Sequence, residues 1–167
     1  SWWRRAYLIH QARLYAAEEG RACPAFDLNV AVSKRDAGLL EAATGARFET
    51  VPNGVDLEFF RPASGPDRRG VVFVGGSTWF PNRDGLEFFS KEILPLVRRE
   101  IPDLPVTWVG RCEEGDRERF WNEHGIRLTD YVPDVRPYLK EANSMVVPLR
   151  VGGGTRLKVT TGWAAGL

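Results

Sequence analysis

Cysteine is scarce in this chain: two in 167 residues, Cys23 and Cys112, with no CxxC spacing and no histidine cluster beside them. That argues against a disulfide framework or a zinc site and leaves reduced thiols of a cytosolic protein as the plain reading. Histidine is as rare. His10 lies on a predicted helix among Arg and Gln, and His124 precedes Gly125 at a helix end, where a cation suits the dipole; catalysis is assigned to neither. No apolar run reaches the ~18–20 residues of a membrane span, and no signal peptide is visible. Net charge is nearly absent at +1, so no global field points to nucleic acid or an acidic membrane, and any anion site must be local. Glu113, Glu114 and Asp116 read as a solvated helix start, so no metal is expected, and no cofactor.

Hydrophobic residues make up 43% and charged residues 27% of the chain, which suits a globular protein with a sizeable core. Residues 2–19 have near-helical spacing of Trp3, Tyr7, Leu14 and Ala17, with Gly20 as a stop. Arg4, Arg5 and Arg13 among these aromatics read either as a solvated face, opposed by Glu18 and Glu19, or as peripheral contact with an anionic membrane surface. The chain opens at Ser1 as if in mid-helix, so it is expected to be a piece of a longer protein. Residues 28–32 read as a buried strand. Ser33 then caps a helix running to Ala43, which Gly45 ends. Residues 47–51 form a second strand, and Asn53-Gly54 a turn with positive φ. Residues 61–69 have linker chemistry.

From residue 70 the pattern is regular. Strands are expected at 71–74, 106–109, 126–128 and 144–148. They alternate with helices at 84–100 (kinked at Pro95), 113–123 and 135–142, and Thr155 caps a last one. Alternation in ~30-residue units with fully apolar strands predicts an α/β, Rossmann-like parallel sheet with flanking helices. A strand at 144–148 left at the sheet edge predicts self-association through that edge.

Ligands of such a sheet gather beyond the carboxyl ends of its strands. Three glycine-containing loops fall there: Gly75-Gly76-Ser77, Gly110-Arg111 and Gly152-Gly153-Gly154-Thr155. In the third, glycines admit a ligand close to the backbone, a helix start favours negative charge, and Arg156 and Lys158 add cations, a set suited to a diphosphate. It is neither a P-loop nor a dinucleotide fingerprint. Trp108 reads as core; Trp79 and Phe80 read equally as core or as a platform for a sugar or base.

The segments VAVSKRDAGLL, VPNGVDLEFFRP, VVFVGG, VTWVGR, YVPDVRPYL and VVPLRVGGGTRLK resemble, in order and spacing, the group 1 family of retaining glycosyltransferases (CAZy family 4), and above all its bacterial members in surface-polysaccharide assembly. The resemblance implies the GT-B architecture of two Rossmann-like domains. Residues 1–60 would be a partial acceptor-side domain, 61–69 a linker, and 70–167 a truncated donor domain. It implies transfer of a sugar from a UDP- or GDP-linked donor to a glycan or lipid-linked acceptor, in the cytoplasm or at the inner face of the membrane. The donor diphosphate would lie on Gly76, Gly153, Gly154, Thr155, Arg156 and Lys158, and the Gly75–Asn82 loop would face the diphosphate and sugar across the cleft. The nucleoside would lie on Gly110, Arg111, Tyr131, Val132 and Thr161. Thr161 stands where the family carries a glutamate for the ribose. The family's catalytic groups on the acceptor side would precede Ser1, so no catalytic residue is assigned. The alternative is a non-catalytic or decayed nucleotide-binding module.

Overall fold

The computed structural model describes residues 2–62, 68–152 and 154–167. These fall into two compact units, Ser1–Asn53 and Gly54–Leu167. The boundary thus lies ahead of the expected position at 60, and Gly54–Phe60 joins the second unit. Part of the expected linker, residues 63–67, lies outside the described residues.

The first unit holds α1 (Trp2–Ala22), a short 3-10 turn (Cys23–Ala25), β1 (Asn29–Ala31), α2 (Lys34–Thr44) and β2 (Phe48–Thr50), with β1 and β2 parallel. The Ser33 hydroxyl accepts from the Asp36 N–H, and Gly45 closes α2 at φ 68°. Both α2 boundaries are therefore chemical, as the sequence implies. β1 is less buried than expected: only Ala31 is covered, and Val30 is exposed. Neither Asn53 nor Gly54 has a positive φ. The reversal that Asn-Gly would favour is replaced by extended chain and a single helical turn, in which the Asp56 carboxylate accepts from the Glu58 and Phe59 N–H groups.

The second unit is a parallel four-stranded sheet in the order β5-β4-β3-β6. Its strands are β3 (Val71–Val74), β4 (Val106–Val109), β5 (Ile126–Leu128) and β6 (Ser144–Met145). Side chains alternate between the faces. On one face Phe73 and Trp108, cross-strand partners with rings stacked 3.7 Å apart, meet Leu86, Phe89, Leu94 and Phe120. On the other, Val72 and Val109 meet Leu139, Ala142 and Ala165. Helices therefore cover both faces, the α/β architecture that the apolar strands predict.

Two elements differ from expectation. β6 has two residues rather than five, since the chain leaves the ladder after Val146, whose N–H donates to Val72 O at 2.9 Å. Leu149 turns instead into the core. The self-association expected of a long apolar edge has only this short edge to act through. The long helix starts at Phe80, four residues early, with Pro81 in its first turn, where the missing N–H costs nothing. It continues as α3 (Phe80–Phe88), a π turn (Phe89–Ile93) and α4 (Leu94–Glu100). The Pro95 ring cannot fit against the carbonyl four residues back. The backbone opens just before it, and the Leu94 N–H reaches Phe89 O. The extra residue rotates the later face, burying Leu94 and exposing Leu96.

Gly85 sets how closely α3 approaches the chain beyond β6. A Cβ there would lie 3.1 Å from Leu149 Cδ2 and 3.2 Å from the Pro148 carbonyl oxygen. Gly85→Ala gains about 1 kcal/mol of helix propensity but faces an overpacking cost of about 1–3 kcal/mol against a backbone atom. The expected outcome is a lower melting temperature, read by circular dichroism; an unchanged or raised value would show that α3 can shift freely.

Candidate functional site

The loops that leave β3, β4 and β5 converge at the carboxyl end of the sheet. Gly75 N–H donates to Val109 O at 2.7 Å, Ser77 N–H to Arg111 O at 2.7 Å, and the Trp108 indole N–H to Gly75 O at 3.0 Å. The two glycine loops are so close that a Cβ on Gly110 (φ 138°) would lie 2.7 Å from Gly76 N, and one on Gly76 would lie 2.9 Å from Arg111 O. Glycine is required here because backbone meets backbone. The two packed glycine loops form the floor of the candidate site.

The fourth wall is α7 (Leu157–Ala164) and the loop before it. Thr155 does not cap this helix. Arg156 takes the N-cap position with extended backbone and no side-chain cap. Gly153 lies outside the described residues, while Gly154 is exposed with φ 73°. The Arg156 guanidinium folds back onto its own loop, donating to Gly152 O at 2.6 Å and Val151 O at 3.3 Å. Upstream, Arg150 forks onto Asp84 of α3 at 2.6 and 3.0 Å, so the loop is braced from both sides.

Lys158 reaches into the crevice. Its ammonium lies 4.2 Å from the Phe73 ring centroid, donates to Asn82 Oδ1 at 3.0 Å, and would sit 3.1 Å from a Cβ on Gly75. Burial away from water lowers its pKa from 10.5 to about 8, and the positive charge of Arg156 adds to the effect. No carboxylate of the described residues offsets either cause.

Of the expected nucleoside residues, Gly110 and Arg111 border this floor, and Arg111 stacks over the exposed Tyr131 ring at 5.4 Å. Val132 is half-buried against the second core cluster. Thr161 is less well placed, because its hydroxyl already donates to Leu157 O at 3.1 Å. Trp79 and Phe80 are both exposed, at the start of α3. A cavity of about 970 Å³ opens nearby, lined by Cys112, Glu113, Trp121, Arg127 and Asp130. It does not include Lys158; convergent polar groups, rather than volume, mark the site. The Gly75–Asn82 loop was expected to face the diphosphate, but the part played by the Asn82 side chain was not, as its partners lie six and 76 residues away. The one available signal was its place in the first turn after a glycine loop. Among the described residues no helix is long and apolar enough to cross a membrane.

A family model for glycosyl transferases group 1 matches residues 68–167, more than half of the chain. The chain belongs to this family. The fold agrees: the pneumococcal O-GlcNAc transferase GtfA, solved in complex with UDP and GlcNAc, superposes with a TM-score of 0.59 at 16% identity over 78% of this chain. Anabaena Alr3699/HepE, solved in complex with UDP and glucose, gives a TM-score of 0.49 at 12% identity over 80%. The group 1 chain described here spans only 27% and 40% of those two proteins. Among curated proteins no sequence matches it. The parallel α/β sheet with flanking helices thus matches the fold of GT-B glycosyltransferases, and the candidate site lies beyond the carboxyl ends of its strands.

Proposed function

We propose that the second unit binds the nucleotide-diphosphate sugar of a glycosyl transfer reaction, with the diphosphate at Lys158 and the Gly75-Gly76 floor. The observation that carries this reading is a half-buried ammonium, uncompensated by any described carboxylate, at the carboxyl end of a parallel sheet. An anion arriving there recovers Coulomb energy that the free protein lacks. By the motif resemblance, Gly153, Gly154, Thr155 and Arg156 would line the same diphosphate site. Gly110, Arg111, Tyr131 and Val132 would flank the nucleoside, UDP- or GDP-linked. As the anomeric C–O bond breaks, charge grows on the leaving diphosphate. A fixed cation aimed at that charge stabilises the transition state by about 3 kcal/mol. Retention of configuration, membership of family 4, a glycan or lipid-linked acceptor and a place in bacterial surface-polysaccharide assembly follow from the motif resemblance. The first unit, Ser1–Asn53, would then be the end of the acceptor-side domain and the second unit the donor side. The engaged, neutral Thr161 favours a second reading for this chain, a nucleotide-binding module without turnover of its own.

Calorimetric titration with UDP and GDP tests the proposal, and its pH dependence is signed. Bound anion raises the pKa of Lys158 above its free value of about 8. Affinity should be level below about pH 8 and fall above it, by at most about tenfold per pH unit. Lys158→Met should remove that fall. Wild-type affinity independent of pH across this window would remove Lys158 from the site.

A further inference from the structure

The geometry points to Asn82 as the positioning residue of the diphosphate cation: its side-chain amide holds the Lys158 ammonium over Gly75 while leaving its charge uncancelled for the ligand. This rests on the diphosphate reading above.

Asn82 is a buried polar residue in the first turn of α3, with 7% of its surface exposed. Its amide is used at both ends. Nδ2 donates to Gly76 O at 2.9 Å, and Oδ1 accepts from Lys158 Nζ at 3.0 Å. These partners fix its orientation, since the flipped amide would set two donors face to face and two acceptors face to face. One side chain thereby ties the phosphate-facing loop to the cation on α7. The bridge passes directly over Gly75: a Cβ there would lie 2.8 Å from Asn82 Nδ2 and 3.1 Å from Lys158 Nζ. The Gly75 position and the Asn82 side chain are thus parts of one device.

The choice of amide over carboxylate is the informative point. Aspartate has nearly the same shape and would also reach Nζ. It would form an ion pair with Lys158, neutralise the crevice and repel a diphosphate, while losing the donor to Gly76 O. A neutral acceptor orients the ammonium without competing for it. Arg156 is the charged group near Lys158; Asn82 from α3 and Phe73 from β3 are uncharged. Neither of these two contacts cancels the charge of the ammonium.

The test uses the full chain with Asn82→Asp and Asn82→Ala. Two readings are taken: affinity for UDP by calorimetry, and titration of Lys158 by NMR of its side-chain carbons without ligand. Asn82→Asp is expected to weaken UDP by more than tenfold and to move the Lys158 titration upward from about 8. Asn82→Ala is expected to weaken UDP by a smaller factor with no upward move. Equal losses in both variants with an unmoved Lys158 titration would mean that Asn82 only holds the loop, and would overturn the inference, as would UDP binding by Asn82→Asp at wild-type strength. Wild-type protein that binds no UDP would overturn the diphosphate reading and this inference with it. The ligand-free titration would still show whether the two side chains communicate. Thermal unfolding of each variant checks that it folds, and the movement of the Lys158 titration in Asn82→Asp decides the direction of the effect.

Discussion

Replacing Lys158 with alanine is expected to weaken UDP or GDP binding by roughly tenfold to a hundredfold, the equivalent of about 1.5–3 kcal/mol for a charge-assisted hydrogen bond. The upper end is the better expectation, for two reasons. The ammonium is half-buried and stacked on Phe73, so its interaction with an anion is less screened than at an open surface. It is also already in place, held by Asn82 Oδ1, so little ordering remains to oppose binding. Alanine leaves Asn82 Oδ1 without its cation but keeps the Nδ2 bond to Gly76 O, so the glycine floor should persist. The measurement is isothermal calorimetry at low ionic strength, with thermal unfolding as a control for the fold. A loss below about twofold would place the diphosphate elsewhere.

The second large effect concerns stability. Trp108→Ala is expected to cost about 3–5 kcal/mol, the range for removing a large buried aromatic, out of about 5–15 kcal/mol for a typical domain. Trp108 has no exposed surface, stacks on Phe73 and donates its indole N–H to Gly75 O. Its loss empties the centre of the main core cluster and unpairs a carbonyl at the head of the ligand loop. Trp108→Phe separates the two parts. It keeps an aromatic on the Phe73 ring but drops the hydrogen bond, so it should cost less in urea unfolding while still loosening the Gly75 loop and weakening UDP. If Trp108→Ala unfolds within about 1 kcal/mol of wild type, the stack does not organise this core.

The strands at 71–74 and 106–109 were legible because both faces are covered, which demands an apolar run, broken only by Thr107. The α2 boundaries were legible because Ser33 and Gly45 act on their own neighbours. Where a residue's role depends on a distant partner, the sequence was silent. The Asn82 link to Lys158 spans 76 positions, and the Asp84–Arg150 fork spans 66. Local reasoning also failed where tertiary packing overrode it. Val147 and Pro148 were expected to continue the strand, but the ladder ends with the Val146 N–H, and Leu149 beyond them packs against the core. Thr155 looks like a cap, yet the helix begins one residue beyond the position it could serve. Pro95 was readable as a break, but the π turn that absorbs it was not. At the candidate site, loop chemistry singled out Lys158 and the glycine loops, which the structure brings together. The folding back of Arg156 onto Gly152 and Val151 was not, since those carbonyls are presented only by the shape of the loop.

The close seat of α3 on Pro148, permitted by Gly85, has a consequence for how such a crevice could change. One bank carries Asn82 and the other leads to Lys158, and peptide atoms in direct contact set their spacing. A point substitution facing the opening changes what the banks present but leaves the span between them alone. To accommodate a bulkier or slimmer occupant, the polypeptide would have to gain or lose a residue between Pro148 and Lys158, or give way at Gly85 itself.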